Sequence, residues 1–309
     1  ASIVSCDKRI YSHFTHSHAK KHRVFGGVAP ELAARHHMEF IQSVIERAIL
    51  DSNIDIKEID AIGVTAGPGL IGSLIVGVMA AKGLALRLNK PCLAINHLEG
   101  HALTPRLVYH DLEFPYILLL ISGGHCELLL VENLGQYVLL GKTKDDSPGE
   151  AFDKVAKFLN LDYPGGPSIE KRAHKGNPNA IFFPRPLCNQ NECDFSFSGL
   201  KTSVKNYIAN LPSINENIID DICSSFQHTV SLILSNKLEN AIEKVAKITT
   251  NNQDFIVKNI VVSGGVASNQ YIRNALTQVA QTKQKEIFFP PIHLCTDNAA
   301  MIAWVAIER

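Results

Sequence analysis

A short apolar run ending in Ser-Gly-Gly occurs twice in this chain, as Leu119-Leu120-Ile121-Ser122-Gly123-Gly124 and as Val261-Val262-Ser263-Gly264-Gly265-Val266. A strand that runs straight into such a turn lets its backbone amides approach a phosphate or ribose, because no Cβ stands in the way. One such turn is ordinary; two in matching context suggest two related halves. The surroundings agree with an α/β fold. Residues 61–64, 116–121, 127–131 and 260–262 are short and apolar and alternate with longer amphipathic stretches, the pattern of strands separated by helices.

After Pro30, the positions Leu32, Ala33, Phe40, Ile41, Val44, Ile45, Ala48 and Ile49 recur near helical spacing, and a proline suits the first helical turn. Residues 218–248 repeat the pattern through Ile222, Phe226, Val230, Ile233, Leu234, Leu238, Ile242 and Val245, which predicts a second long helix or a kinked pair. The most apolar long stretch, Leu70 to Leu88, is broken by Lys82 and Arg87 and dotted with Gly72, Gly77 and Gly83. It falls short of the run of about 20 apolar residues that spans a bilayer and reads as a buried helix. The expected domain boundary lies near residue 100, giving an N-terminal domain over residues 1–100 and a C-terminal domain over residues 101–309.

With 46% apolar and 19% charged residues over 309 positions, the chain is of globular rather than disordered or low-complexity type. Its seven cysteines are odd in number and form no CxxC pair, which suits reduced thiols better than a disulfide framework or a zinc ribbon. The first residues lack the pattern of a secretory signal, so a cytoplasmic location is expected, with the mitochondrial matrix as the alternative. Thirty basic residues balance thirty acidic ones, which excludes the broad basic field of a dedicated nucleic-acid binder. Residues 1–37 alone carry a local excess of +4, with Lys20, Lys21 and Arg23 among them. The interleaved His13, His16, His18 and His22 read more simply as a solvated edge than as a metal tract.

The sharpest chemical signal is His97-Leu98-Glu99-Gly100-His101. Histidines at i and i+4 share one helical face and can reach a single ion, although a pair satisfied within a core has the same spacing. Glu99 lies about 200° around the helix from either histidine, so this is not the zinc-peptidase pattern, in which the glutamate directly follows the first histidine. A third ligand is offered by Asp297 in Cys295-Thr-Asp-Asn298. Asp297 also precedes a helix-forming run and would serve equally as its N-cap. Glu150 and Asp153 share a face beside a glycine-led helix start. The helix dipole accounts for Glu150, whereas Asp153 could accept ribose hydroxyls or be structural. Pro164-Gly-Gly-Pro167, followed by Glu170, adds a rigid turn and another acid.

Taken together, the segments Phe25-Gly-Gly-Val-Ala-Pro-Glu-Leu-Ala-Ala-Arg35, Thr65-Ala-Gly-Pro-Gly-Leu70, Asn96-His-Leu-Glu-Gly-His101, Ser122-Gly-Gly-His125, Gly149-Glu-Ala-Phe-Asp153, Asp162-Tyr-Pro-Gly-Gly-Pro167, Phe195-Ser-Phe-Ser-Gly-Leu-Lys-Thr202, Gly264-Gly-Val266 with Asn269, and Cys295-Thr-Asp-Asn298 closely resemble the TsaD family of tRNA threonylcarbamoyladenosine transferases, which has relatives in the KEOPS complex. The motifs run in order across nearly the whole chain.

The resemblance implies a duplicated actin-like (ASKHA) α/β fold with a nucleotide-shaped ligand between its halves. It implies one divalent metal ion, iron or zinc, on His97, His101 and Asp297. Substrate contacts fall on Leu120, Ile121, Ser122, Gly123, Gly124, Asp153, Gly166, Glu170 and Asn269, Glu170 being a position where the family varies. The implied reaction moves threonylcarbamoyl from threonylcarbamoyl-AMP to N6 of the adenosine 3′ of the anticodon in tRNAs reading ANN codons, with TsaB-type and TsaE-type proteins as partners and no membrane role. The family opens with a strand and an acidic turn that Ser5-Cys6-Asp7 only mimics, and it usually extends past Arg309. From these departures a missing first strand and phosphate loop and a shortened C-terminus are expected. The rival readings are a non-catalytic TsaB-like scaffold, a zinc metallopeptidase and an actin-like sugar kinase. The histidine pair argues against the scaffold and the kinase, and the placement of Glu99 against the peptidase.

Overall fold

A computed structural model describes residues 1–17, 29–249 and 257–309. His18, Lys20, Lys21, His22 and Arg23 lie outside the described residues, and so do the first four residues of the 25–35 motif. The chain forms two compact units, one comprising residues 1–111 and 297–309, the other residues 112–296.

In the first unit, β1 (Ser2–Val4) and β2 (Ile10–His13) pair antiparallel. Ser5-Cys6-Asp7 lies in their connecting turn, where the Ser5 amide donates to Arg9 O at 3.0 Å. The next elements are α1 (Pro30–Ser52), β3 (Ile62–Gly67), α2 (Ile71–Leu88), β4 (Cys92–Asn96) and α3 (His97–Val108). β3 and β4 are parallel. Asn53 and Asn89 end α1 and α2 in the left-handed conformation, a role asparagine tolerates better than most residues.

The expectation that Leu70–Leu88 is buried does not hold. Only Ala81 and Ala85 of α2 are buried, while Ile71, Ile75, Met79 and Leu86 are exposed. The helix touches its own unit through small residues: a Cβ placed on Gly72 would stand 3.0 Å from the Ala34 Cβ of α1. Such residues allow close helix approach; Leu74, Val76, Val78 and Leu84 are half-buried, and Ile71, Ile75, Met79 and Leu86 form the outer face. By length and composition alone α2 could cross a membrane.

The second unit holds a five-stranded sheet in the order β7-β6-β5-β8-β9, from β5 (Tyr116–Ile121), β6 (Cys126–Asn133), β7 (Gln136–Lys142), β8 (Asn259–Ser263) and β9 (Glu286–Phe288). β5 and β6, and β6 and β7, are antiparallel; β8 is parallel to both β5 and β9. Every residue of β5 is buried, as expected of a central strand covered on both faces. The helices of this unit are α4 (Pro148–Phe158), α5 (Gly165–Ala173), α6 (Ser198–Ala209), α7 (Glu216–Thr249), α8 (Gln270–Thr282) and α9 (Ile292–Cys295). The long stretch expected at 218–248 is one helix, α7, and its periodic apolar residues all join the core.

Two further expectations are corrected. Residue 100 is no boundary, because α3 runs through it, and the last helix, α10 (Ala299–Glu308), belongs with the first unit. The reason is tertiary: Gly100 presents no side chain, and a Cβ there would stand 2.9 Å from Ile302 Cδ1, so α10 seats directly on α3. Nor do the two Ser-Gly-Gly turns mark two halves. Leu120 pairs with Ser263, so both turns follow neighbouring parallel strands of one sheet. Gly264, with φ 98°, lies so close that a Cβ would stand 2.3 Å from Ile121 O. The close approach falls on the second turn, where glycine is required, whereas a Cβ on Gly123 or Gly124 of the first would meet open space.

Candidate metal and nucleotide sites

The first unit assembles the histidine pair with Asp297. Asn96 caps α3, accepting from Leu98 N at 2.8 Å and Glu99 N at 3.4 Å, so His97 opens the helix and His101 follows one turn later. At the other end of the sequence, Asn298 caps α10 by accepting from Met301 N at 2.9 Å. The N-cap role open to Asp297 is thus filled by its neighbour, and the Asp297 carboxylate turns to the histidines instead. Its Oδ1 lies 3.1 Å from His101 Nε2 and 3.5 Å from His97 Nε2.

The three donor atoms lie within 4.8 Å of one another. Ligands about 2.1 Å from a shared ion and 90–110° apart stand roughly 3.0–3.4 Å from each other, close to the two carboxylate distances. His101 is fully buried, and its Nδ1 has no hydrogen-bond partner among the described residues. The Asp297 side chain is 78% exposed, so the group is anchored in protein on one side and open to solvent on the other. Two imidazoles and one carboxylate with open positions suit iron or zinc binding with substrate oxygens completing the shell. The residues present therefore fit a divalent ion.

In the second unit, the remaining expected residues occupy connected positions. Leu120 and Ile121 are fully buried within β5, so only their backbone could meet a ligand. Ser122 folds the first turn on itself, its Oγ accepting from Gly124 N at 3.3 Å and His125 N at 3.0 Å. Gly123 and Gly124 are exposed, and a Cβ on either would meet open space. Behind them, Gly149 permits α4 to approach, since a Cβ there would stand 2.6 Å from Ser122 O. Ser147 both caps α4 and donates to Gly123 O at 2.7 Å.

The polar residues carry structural duties. Asp153 Oδ1 accepts from Gly165 N at 2.7 Å and so starts α5, whose own N-cap, Pro164, has no side chain to do so. Burial pushes the Asp153 carboxyl up, with the Gly165 bond opposing that and the Glu150 charge adding to it. Glu170 Oε1 accepts from Gln270 N at 2.7 Å at the start of α8. Asn269 caps the same helix through Ile272 N at 3.0 Å and donates from Nδ2 to Gln227 Oε1 at 2.7 Å. Gly166 is partly exposed, with open space where a Cβ would stand. Asp153, Glu170 and Asn269 thus hold together the helix starts of this unit through side chain to backbone bonds.

Sequence reasoning missed two supports. Asp145 starts α6 by accepting from Phe197 N at 2.8 Å and Ser198 N at 3.2 Å, which ties the Phe195–Thr202 motif to the loop before α4. Gln227, 4% exposed in the middle of α7, fixes the Asn269 amide. A polar residue within an otherwise apolar helical stripe was the signal for Gln227. Asp145 carried no local signal, because its partners lie about fifty residues away.

Comparisons with known proteins agree with the motifs. The family model described as "TsaD: tRNA N6-adenosine threonylcarbamoyltransferase" matches residues 9–304. The chain is 51% identical to the tRNA N6-adenosine threonylcarbamoyltransferase of Rickettsia massiliae (strain Mtu5) over 308 residues, covering 100% of this chain and 88% of that protein. The protein of that name in Rickettsia conorii (strain ATCC VR-613 / Malish 7) is 50% identical over the same length, at the same coverage. Among solved structures, T. kodakarensis HypF is similar in fold, with a TM-score of 0.60 and 16% identity over 88% of this chain and 43% of that one. Full-length HypF in a phosphate- and nucleotide-bound form gives 0.57 and 14%, over 87% of this chain and 41% of that one. With the ordered motifs, the histidine and aspartate group and full-length relatives of half-identical sequence in agreement, this mixed α/β chain belongs to the TsaD family of tRNA N6-adenosine threonylcarbamoyltransferases.

Proposed function

We propose that this protein transfers threonylcarbamoyl from threonylcarbamoyl-AMP to N6 of the adenosine 3′ of the anticodon in tRNAs reading ANN codons. The observation that carries this reading is the convergence of His97, His101 and Asp297, three potential ligands from segments about 200 residues apart. In the reaction, N6 attacks the carbamoyl carbon, the bond from that carbon to the phosphate oxygen breaks, and AMP leaves with the electron pair while N6 loses a proton. Because the mixed anhydride is already activated, the protein's task is orientation and charge stabilisation rather than supply of a nucleophile.

A divalent iron or zinc ion bound by His97, His101 and Asp297 would supply Lewis-acid polarisation of the threonylcarbamoyl oxygens. The adenylate is assigned to the second unit, where the exposed Gly123 and Gly124 and the open Cβ position of Gly166 leave backbone accessible. Leu120, Ile121 and Ser122 place that turn, while Asp153, Glu170 and Asn269 hold the helix starts around it. Since two lone pairs serve each of their acceptor oxygens, these three side chains keep capacity for a ligand beyond the caps they form. The duplicated actin-like fold is proposed on the family resemblance, and the likeness to HypF supports the α/β core.

Partners of the TsaB and TsaE type are part of the proposal. A chain of zero formal charge has no general attraction for the phosphates of tRNA, an affinity that scales with the number of phosphates neutralised. The exposed apolar face of α2 supports the need for a protein partner. A metallopeptidase reading is not favoured, since Glu99 is 4% exposed and its carboxylate is taken up by Arg309.

The test is incubation of the protein with threonylcarbamoyl-AMP, tRNA and the bacterial partner proteins, followed by analysis of the tRNA nucleosides. Threonylcarbamoyladenosine should form and should disappear with Asp297→Ala. Equal formation by wild type and variant would remove the trio from the reaction, and no product from the wild type in the full mixture would overturn the transferase reading.

A further inference from the structure

Between the two histidines on α3 lies a buried acid turned to the opposite side of the helix. Glu99 is 4% exposed, and its Oε2 accepts from Arg309 Nη2 at 2.8 Å and Nε at 3.1 Å. Arg309 immediately follows α10, the helix whose approach carries Asp297. The same two helices meet at Gly100 against Met301 and Ile302. Farther along α3, Arg106 Nε donates to Glu308 Oε1 at 2.9 Å and Oε2 at 3.2 Å. Two residues of α3 that differ by seven positions thus grip two consecutive residues at the end of α10.

A helix can roll about its axis or slide along a neighbour at small cost when its contacts are only apolar, since such contacts are non-directional. A buried carboxylate gripped by two guanidinium nitrogens is directional, and leaving it unpaired is unfavourable. Glu99 lies within the same turn as both histidines but on the other side of α3, so its attachment fixes the roll of the turn that presents their rings. Its partner follows Glu308 of the helix that begins two residues after Asp297. One pair therefore sets both sides of the ligand group. The Arg106 pair lies on the same face of α3 two turns beyond Glu99, so it grips the two helices farther from the turn that presents the rings.

We infer that Glu99 and Arg309 are positioning residues for the metal group, fixing His97 and His101 relative to Asp297 so that the three bind a divalent ion with high affinity. The inference rests on the proposed metal reading of that group. Residues that orient metal ligands from behind typically contribute 10- to 100-fold to affinity. The Glu99 carboxylate would do so through the helix that carries the ligands rather than by touching an imidazole.

The test is binding of Co²⁺ to the full chain, followed by its visible absorption and by competition with a chelator of known affinity. Wild type should bind one equivalent and Asp297→Ala should bind at least about 100-fold more weakly; failure of either result overturns the metal reading and with it this inference. Given that binding, Glu99→Gln and Arg309→Gln should each weaken it by about 10- to 100-fold, and the double variant should be no weaker than the poorer single one. Glu99→Gln is nearly isosteric, so the fold is retained. Arg106→Gln is the control for mere helix attachment: it should lower the melting temperature yet change Co²⁺ affinity by less than about threefold. Wild-type affinity in Glu99→Gln and Arg309→Gln, or a loss matched by Arg106→Gln at equal loss of melting temperature, would overturn the positioning role while leaving the metal group itself intact.

Discussion

The two units handle their apolar residues in opposite ways. In the second, β5 is buried over its whole length and the periodic face of α7 disappears into the same core. In the first, α2 is long and rich in apolar residues, yet it leaves Ile71, Ile75, Met79 and Leu86 exposed. A sheet covered by helices has two faces to fill, whereas a helix attached through alanine and glycine has one stripe to fill and a remainder that needs a partner. Apolar content therefore reports how much surface must leave water, and the arrangement of large and small side chains decides whether the chain covers it alone. The candidate sites differ in a parallel way. The first unit offers side-chain donors that converge on one point; the second offers backbone at glycine turns, with most of its polar side chains already employed as helix caps.

The largest effect expected from that difference is chemical. Asp297→Ala and His101→Ala should each reduce threonylcarbamoyl transfer by about 10³-fold or more while leaving the second unit folded, as expected when a Lewis-acid centre is lost. Measured turnover in the reconstituted system decides the matter, and activity near that of wild type would erase the contrast between a side-chain site and a backbone site.

The burial contrast is tested by matched truncations. Leu119→Ala, within β5, should cost about 2–5 kcal/mol of stability, whereas Ile75→Ala, on the exposed face of α2, should stay within about 0.5 kcal/mol. Urea denaturation of the isolated chain measures both. The same Ile75 change should weaken binding to a TsaB-type partner, and a large stability loss at Ile75 would mean that its face is covered within the chain.

A smaller effect probes the meeting of the two glycine turns. Gly264→Ala should destabilise by about 2–3 kcal/mol, because the residue has a φ of 98° and a Cβ would stand 2.3 Å from Ile121 O. Gly124→Ala, where the added Cβ meets open space, should be near neutral in stability and act instead on adenylate affinity. Equal melting temperatures for the two variants would contradict the close approach of β5 and β8 at their ends.

The smallest effect is electrostatic. Burial raises the Asp153 carboxyl above its ordinary value of 3.8, so the folded state holds the proton more tightly than the unfolded chain does. Stability from this group is present below 3.8 and is lost as pH rises through the raised folded value. Asp153→Asn retains an oxygen for the Gly165 amide and removes the buried charge. It should leave stability at neutral pH within about 0.5 kcal/mol and flatten the acid side of the stability profile, as thermal unfolding at several pH values would show. A steeper profile in the variant would assign the shift to another group.

Most of what was legible beforehand is short-range. The helix after Pro30 and the long one over 218–248 could be read from the spacing of their apolar residues, and the spacing of His97 and His101 placed both on one face of one helix. Such features depend on contacts within about one helical turn, which the order of residues specifies directly. Tertiary structure decided the rest. It brought Asp297 to the histidines and made Asn298 the cap, because α10 returns to α3 at Gly100. It placed the two Ser-Gly-Gly turns side by side on one sheet instead of in two halves, because strand order depends on which strands pair across 140 intervening residues. It turned Ile71, Ile75, Met79 and Leu86 of α2 outward, with Ala81 and Ala85 on the buried side and Gly72 against Ala34. In each case the sequence contained the residues that take part, and the choice among their possible partners was made by packing over distances that no local pattern spans.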